Sequence, residues 1–538
     1  MFALIVAGPG LYLRPDVHAE PLVGRWSAWV NLIPPATAAF VIVERQLRAM
    51  ESFARSPALH AASVRSPLLR SGPFIDLPAE RAPAIAALVA EVQTRCAPQI
   101  AFVKAVRALG GLLRERATGG SLEALHAEVP DALRGLVELY YDRHHRPDFR
   151  FYEALLYDSP LYDAGLQRLV LRPGGDDRGR PFVFSTPRLR APEAVELALP
   201  FASPALDLLF STRVAPTALS ALHGALGPAL DPDQYRRFAS LFTPEPPPPR
   251  PAYAGDAARV RYFGHACLLI ETRQTSILID PLVSYGQASG PERFTYADLP
   301  ARIDTVLITH AHHDHVVLET LLQLRHRIGR VVVPRNVAGA LQDPSLTLLL
   351  RALGFRDVIA LDAMDTLPLG CDEELTALPF VGEHHDLLVG SKLTYHLRFG
   401  RSTVMVAADS CNLAPDLYRH IQARIGPIDT LFLGMECEGA PLSWVYGSLL
   451  DQQTTRENDQ ERRGRGSNAA EGLDLVRCFD PSRAFIYAMG AEPWLNHILD
   501  LDYHEGDLAI RESDAFIAAC RDQGRVAERL FLKREIQL

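Results

Sequence analysis

Four histidines and an aspartate crowd into Thr309-His310-Ala311-His312-His313-Asp314-His315, directly after the apolar run Thr305-Val306-Leu307-Ile308, which reads as a strand. Imidazole and carboxylate ligate zinc, iron and manganese alike, so the pattern predicts metal before it predicts which metal. On a turn at the C-terminal end of a strand, His310 and His312 can face one ion while Asp314 and His315 face a second, with His313 as filler. A merely solvated polar loop would not be expected between an apolar strand and an amphipathic segment.

A two-metal site needs further ligands, and three later segments offer them. Phe380-Val-Gly-Glu383-His384-His385-Asp386 supplies a carboxylate or an imidazole. Val404-Met-Val-Ala-Ala-Asp409-Ser410 is an apolar strand ending in a lone aspartate. Asp409 could cap a following helix, but beside the first motif a carboxylate bridging two ions is the better reading. Ile486-Tyr-Ala-Met-Gly-Ala-Glu-Pro-Trp-Leu-Asn-His497 is a strand followed by a histidine, suited to the last ligand of the second metal, with His504 as its competitor.

These segments must be positioned by the second half of the chain. The run Phe242-Thr-Pro-Glu-Pro-Pro-Pro-Pro-Arg-Pro251 reads as an extended, semi-rigid spacer. It divides a mixed, mainly helical N-terminal domain (1–241) from a catalytic domain (257–538), with 242–256 as linker. Ala84–Val106 and Leu122–Tyr141 space apolar residues at three and four, the helix period, and Tyr140–Arg146 reads as a packed helix end with its polar turn. His144 and His145 lack a carboxylate at ligand spacing. After the linker, strands are predicted at 259–271, 276–281, 330–334, 393–399, 402–407, 430–434 and 483–489, with a helix through 316–328. Strands alternating with helices predict sheets faced by helices, an α+β chain. The polar stretch Asp451–Asn468 reads as a mobile surface loop.

The chain has 538 residues, 48% hydrophobic and 22% charged, which is ordinary globular composition and too long for one core. A net charge of −9 argues against nucleic-acid binding, and no apolar run reaches the length of a membrane span. Met1–Ala7 lacks a basic flank and reads as a short first strand rather than a signal peptide. Seven scattered cysteines without a CxxC pair fit reduced thiols in a cytoplasm; Cys411 and Cys437 lie nearest the site segments.

His-x-His-x-Asp-His resembles the metal signature of the metallo-β-lactamase superfamily, with its αββα sandwich. The size of the preceding domain, the spacing from His310 to Glu383 and Asp409, and a glutamate where the hydrolases keep a histidine are most similar to a di-iron β-hydroxylase family. That family hydroxylates aminoacyl groups held on nonribosomal peptide synthetases. The resemblance implies one iron held by His310, His312 and Glu383, a second by Asp314, His315 and His497, and Asp409 bridging. A hard anionic donor at Glu383 stabilises ferric iron and suits oxygen chemistry better than a neutral-pH zinc hydroxide. A one-residue register change would return His384 to the site and favour a dinuclear zinc or manganese hydrolase of a lactone, phosphoester or thioester.

The resemblance further implies dioxygen and an external reductant as co-substrates, a reductase or other electron donor, a carrier domain as partner, and a homodimer through the N-terminal domain. Around the ligands, Asp280 is expected to hydrogen-bond a metal-binding histidine and His265 to stand behind the ligands. Glu436 is expected to orient a substrate amine or a ligand histidine, making it a catalytic candidate with Glu383 and Asp409. Trp444 and Tyr446 are expected to wall a pocket, and Arg462, Arg463 and Arg465 to meet an acidic carrier.

Overall fold

The computed structural model describes residues 10–66, 69, 72–226, 230–287 and 289–538; the strand expected over Met1–Ala7 lies outside them. The catalytic half builds two sheets, each of seven strands among the described residues. The first runs Val358–Leu361, Ile328–Pro334, Ile303–Leu307, Ser276–Ile279, Leu268–Glu271, Arg259–Tyr262, Arg534–Gln537. The second runs Thr366–Gly370, Glu373–Pro379, Leu393–Phe399, Ser402–Val406, Thr430–Gly434, Arg483–Tyr487, Val526–Arg529. Ile277, Leu307, Val332, Tyr395, Val404, Phe432 and Phe485 form the dry layer between the sheets.

Central strands such as Ile303–Leu307 and Ile328–Pro334 pair in parallel and are covered on both faces, which is why they read as nearly continuous apolar runs. Helices Pro415–Ile425, Ala469–Phe479 and Leu508–Asp522 pack on the second sheet. On the first, Leu318–Leu324 and Leu346–Ala352 share one core with the N-terminal helices Pro35–Phe40, Arg48–Arg55 and Ala97–Arg116. The αββα sandwich is therefore present, and the N-terminal region is built against one of its helical faces. Parallel strands of both sheets end at one edge, where their following turns meet.

The N-terminal region also carries a four-stranded sheet ordered Trp26–Ser27, His18–Val23, Gln167–Arg172, Val195–Leu197. Two expectations need correction. Ala84–Val106 is not one helix: Ala82–Arg95 and Ala97–Arg116 meet at a 71° bend at Cys96, with Pro98 in the first turn of the second. Leu122–Tyr141 is not helical either; it contains two short 3-10 turns and then strand Val137–Tyr141, hairpinned with Pro147–Phe151. Pro130 interrupts the helical spacing, and Val-Glu-Leu-Tyr-Tyr alternates burial as a strand does.

Phe242–Thr243 pairs with Tyr12–Leu13, and residues 244–258 run on without helix or strand. Among the described residues no single helix is long and apolar enough to cross a membrane. All seven cysteines are free. Cys411 donates to Glu471 at 3.2 Å, and burial raises Cys437 to about 11, so neither is a ready nucleophile.

Candidate metal centre

The histidine-rich turn follows strand Ile303–Leu307, and its orientation is set from behind by Asp280 at the end of the neighbouring strand. The Thr309 amide and hydroxyl donate to Asp280 at 2.8 and 2.6 Å, and His315 Nδ1 meets the same carboxylate at 2.8 Å. His315 therefore presents Nε2 forward, as expected for a histidine held by a carboxylate. Because the Thr309 hydroxyl proton is committed to Asp280, its oxygen accepts from His310 Nδ1 at 3.0 Å, so His310 also points a bare Nε2 into the site.

Three groups of donor atoms, each within 4.8 Å of one another, converge here: His310–His312–Glu383, His310–His315–Asp409 and His265–Asp314–His315. Asp409 Oδ2 lies 3.0 Å from His315 Nε2 and 3.7 Å from His310 Nε2, between the two groups it would bridge. Glu383 faces His312 Nδ1 at 3.2 Å, and His265 Nε2 meets Asp314 at 2.9 Å. His384 is adjacent, with Nδ1 hydrogen-bonded to the Tyr446 hydroxyl at 2.7 Å and a bare, buried Nε2, but it packs edge-on against His312 and joins none of the donor groups. The register thus puts Glu383, with a left-handed backbone (φ 63°), among the donors.

The donor set fits a pair of cations. His310 Nε2, His312 Nε2 and Asp409 Oδ1 are buried without a partner, an arrangement that is costly unless something binds them. Burial and the neighbouring imidazoles hold His310 well below the usual imidazole range, so it is neutral and ready to ligate. Burial opposes a charge on His315, but Asp409, Asp314 and Asp280 hold its pKa well above the ordinary value: a proton occupies the position a cation would take. Burial, with Glu383, Asp409 and Asp314 nearby, likewise raises the Glu436 carboxyl well above its normal range.

Backbone spacing is part of the site. A side chain at Gly434 would come 2.6 Å from Asp409 Oδ1, and one at Gly464 would come 2.9 Å from Glu383 Oε1. Gly464 belongs to the stretch expected to be a mobile surface loop. It instead contains helix Arg456–Glu461 and a buried return, Gly464 to Ser467, that walls the centre. Neither glycine nor the Thr309 hydroxyl stood out in the sequence, because close approach is a property of the assembled fold.

His497 is not in the cluster. Its ring lines a small cavity with His18, Arg180 and Glu319, and its Nδ1 has no partner. The short helix Asn496–Leu499 carries it toward the N-terminal region, where the His497 carbonyl accepts from Val183 at 2.9 Å. His504 joins none of the donor groups either. The three arginines expected at a docking face also have other work. Arg462 donates to the His385 carbonyl at 3.0 Å, Arg465 pairs with Glu471 at 2.9 Å, and Arg463 lines the metal cavity.

A cavity of about 700 Å³ opens from His312, Asp314, Glu383 and Asp409, with Glu436 and Trp444 in its wall. Tyr446 stands behind His384 rather than lining it.

Comparison with known proteins places this geometry in context. Residues 12–246 match the family model described as the di-iron non-haem β-hydroxylase N-terminal domain, and 275–439 match a β-lactamase superfamily domain. The 4-amino-L-phenylalanyl-[CmlP-peptidyl-carrier-protein] 3-hydroxylase of Streptomyces venezuelae is 42% identical over 98% of this chain and 99% of its own. The crystal structure of CmlA, a di-iron β-hydroxylase from Streptomyces venezuelae, superposes with a TM-score of 0.91 at 40% identity, covering 99% of this chain and 100% of that one. A metal-dependent hydrolase of Desulfitobacterium hafniense is 34% identical over 76 residues, 14% of this chain and 29% of its own.

Proposed function

The chain belongs to the di-iron non-haem β-hydroxylases, and from that premise we propose that it hydroxylates the β-carbon of an aminoacyl group carried as a thioester on a nonribosomal peptide synthetase carrier domain. The observation that carries the reading is Glu383 beside His310 and His312, a carboxylate where the hydrolase reading needs His384. His310, His312 and Glu383 would hold one iron, Asp314 and His315 the other, with Asp409 between them and His265 behind Asp314. When bound, the iron pair supplies the activation of dioxygen, with electrons from an external reductant.

The chain's own residues do the rest. Asp280 and Thr309 fix the ring orientations of His315 and His310, so that the donors are set before anything binds. Glu436 lies in the cavity wall, and an incoming α-ammonium would restore its carboxylate and be held by it. Trp444, packed on Phe182 at 5.3 Å, and the buried return at Gly464 keep bulk water from the reacting carbon. A carrier domain, a reductase or other electron donor, a homodimer and a reducing cytoplasm complete the proposal.

Protein grown on iron-57 and measured by Mössbauer spectroscopy tests it. About two irons per chain as a coupled pair is expected, with hydroxylated product released from a loaded carrier. Two zincs that persist after iron-replete growth, with hydrolysis of the thioester, would overturn it. Glu383→Ala should remove activity while His384→Ala keeps the metals; the reverse pattern would restore the hydrolase ligand set.

A further inference from the structure

A second cavity of about 790 Å³ lies between the N-terminal segment 44–60 and the catalytic segment 443–459. It shares Pro73, Phe74, Ser443, Trp444, Arg456 and Asp459 with the metal cavity, so the two adjoin along that wall. Exposure gives the direction. The Arg48 and Asp451 side chains at one end are 62% and 66% exposed, whereas Arg45 and Trp444 at the other are partly buried. The inner end abuts the centre: Arg45 stacks over Phe184 at 4.8 Å, and Phe184 packs on His313, inside the metal motif, at 4.4 Å.

The chamber is lined by four arginines. Arg107 is paired with Asp451 at 2.8 Å and Arg48 with Glu44, but among the described residues Arg45 and Arg456 have no carboxylate partner. Arg45 is the unusual one. It sits on Val41–Leu47, a π-helical stretch, a rare conformation found mostly at functional sites. One guanidinium nitrogen donates to the Trp444 carbonyl, while Nε is buried with no partner. Burial lowers its pKa only to about 10, so it is a cation at neutral pH in a place where a lone cation is costly. Such a group calls for an acceptor from outside the chain.

We propose that this chamber is the passage for the carrier's phosphopantetheine arm. Arg45 donates to an amide carbonyl midway along the arm, and Arg48 with Arg456 holds the phosphodiester at the mouth. The order follows from burial: Arg45 is half-buried beside Phe184, which packs on the metal motif, whereas Arg48 and Arg456 are exposed. The assignment rests on the carrier-thioester reading above and adds the route and the recognising groups.

The test is calorimetric binding to the iron-loaded enzyme, using an aminoacyl pantetheine thioester with and without its terminal phosphate. The phosphorylated thioester should bind the wild type more tightly, with an affinity that falls as salt rises. Arg48→Ala/Arg456→Ala should lose about tenfold for the phosphorylated thioester alone, the loss expected for a charge-assisted contact. Arg45→Gln should weaken both thioesters alike, with iron content unchanged. The passage is wrong if the double variant treats the two thioesters as the wild type does. It is also wrong if inorganic phosphate binds at the same arginines without competing with the phosphorylated thioester, which marks a free-anion site. Failure of the function reading looks different: the wild type would bind the phosphorylated thioester more tightly and release no hydroxylated product from a carrier. Turnover of the carrier substrate that is insensitive to all three arginines would leave the function standing and the passage refuted.

Discussion

Two buried polar clusters lie on either side of helix Asn496–Leu499, and they solve the problem of burying charge in opposite ways. On the N-terminal side, fully buried Glu20 is bound by Arg172 at 2.5 Å and Arg188 at 2.9 Å, with Arg180 at 3.5 Å. Arg180 also grips Glu319 at 2.6 Å, and Tyr285 donates to the same carboxylate at 2.6 Å. There each carboxylate is matched by guanidinium groups, and these ion pairs tie the His18–Val23 strand to helix Leu318–Leu324. On the other side, three carboxylates and four imidazoles converge with several acceptor atoms bare. Carboxylates matched by arginines specify how two regions dock; carboxylates faced by imidazoles specify a cation. Both hold histidine, arginine or carboxylate in abundance, so composition alone does not tell them apart.

The largest expected effect lies in the unsatisfied cluster. Asp409→Ala should cost at least 100-fold in turnover and drop metal content below two per chain, read by metal analysis and spectroscopy on the same sample. Metal content equal to wild type would mean that the bridge lies elsewhere. Asp280→Asn acts one step back: with His315 less firmly oriented, metal affinity should fall about 10- to 100-fold, measured by chelator competition. His497→Ala sharpens the contrast directly. It should keep both metals and lose about 1–3 kcal/mol of stability in urea, because a buried ring is removed from the docking interface. Loss of one metal would return His497 to the ligand set.

The smallest effect is a slope. Burial, with Arg180 and Arg172 close by, lowers His18 from 6.5 to about 3, so the folded chain binds fewer protons than the unfolded one across that window. Stability from this group is therefore complete above pH 6.5 and is lost as pH falls toward 3. His18→Gln should flatten the fall of the urea midpoint between pH 6.5 and 4; an unchanged slope would remove His18 from the account.

The same contrast explains what was legible in the sequence. His310 to His315, Asp409 and the Glu383 segment could be read because each follows an apolar strand, and strand ends on one edge of a sandwich meet by necessity. Asp280 could be read for the same reason. His497 also follows a strand, but the residues between, Gly490 to Asn496, turn the chain toward a partner surface whose charges lie more than 300 positions away in Glu20 and Arg180. Local pattern cannot report such a partner. Leu122–Tyr141 failed differently: apolar residues at mixed spacing fit both periods, and Pro130 with the aromatic pair Tyr140-Tyr141 decided for a strand. The role of Asp451–Asn468 was hidden because most of its residues are polar and exposed, while Gly464 alone among its glycines approaches a ligand, Glu383.

The pairing of Tyr12–Leu13 with Phe242–Thr243 also sets a timetable for synthesis. The region that walls the cavity cannot close its ends until residue 243 has left the ribosome, and at that moment the metal ligands, beginning at residue 310, have not been made. The growing chain can therefore join its N-terminal ends before those ligands exist, while the core its helices share with Leu318–Leu324 and Leu346–Ala352 is completed only with the αββα half.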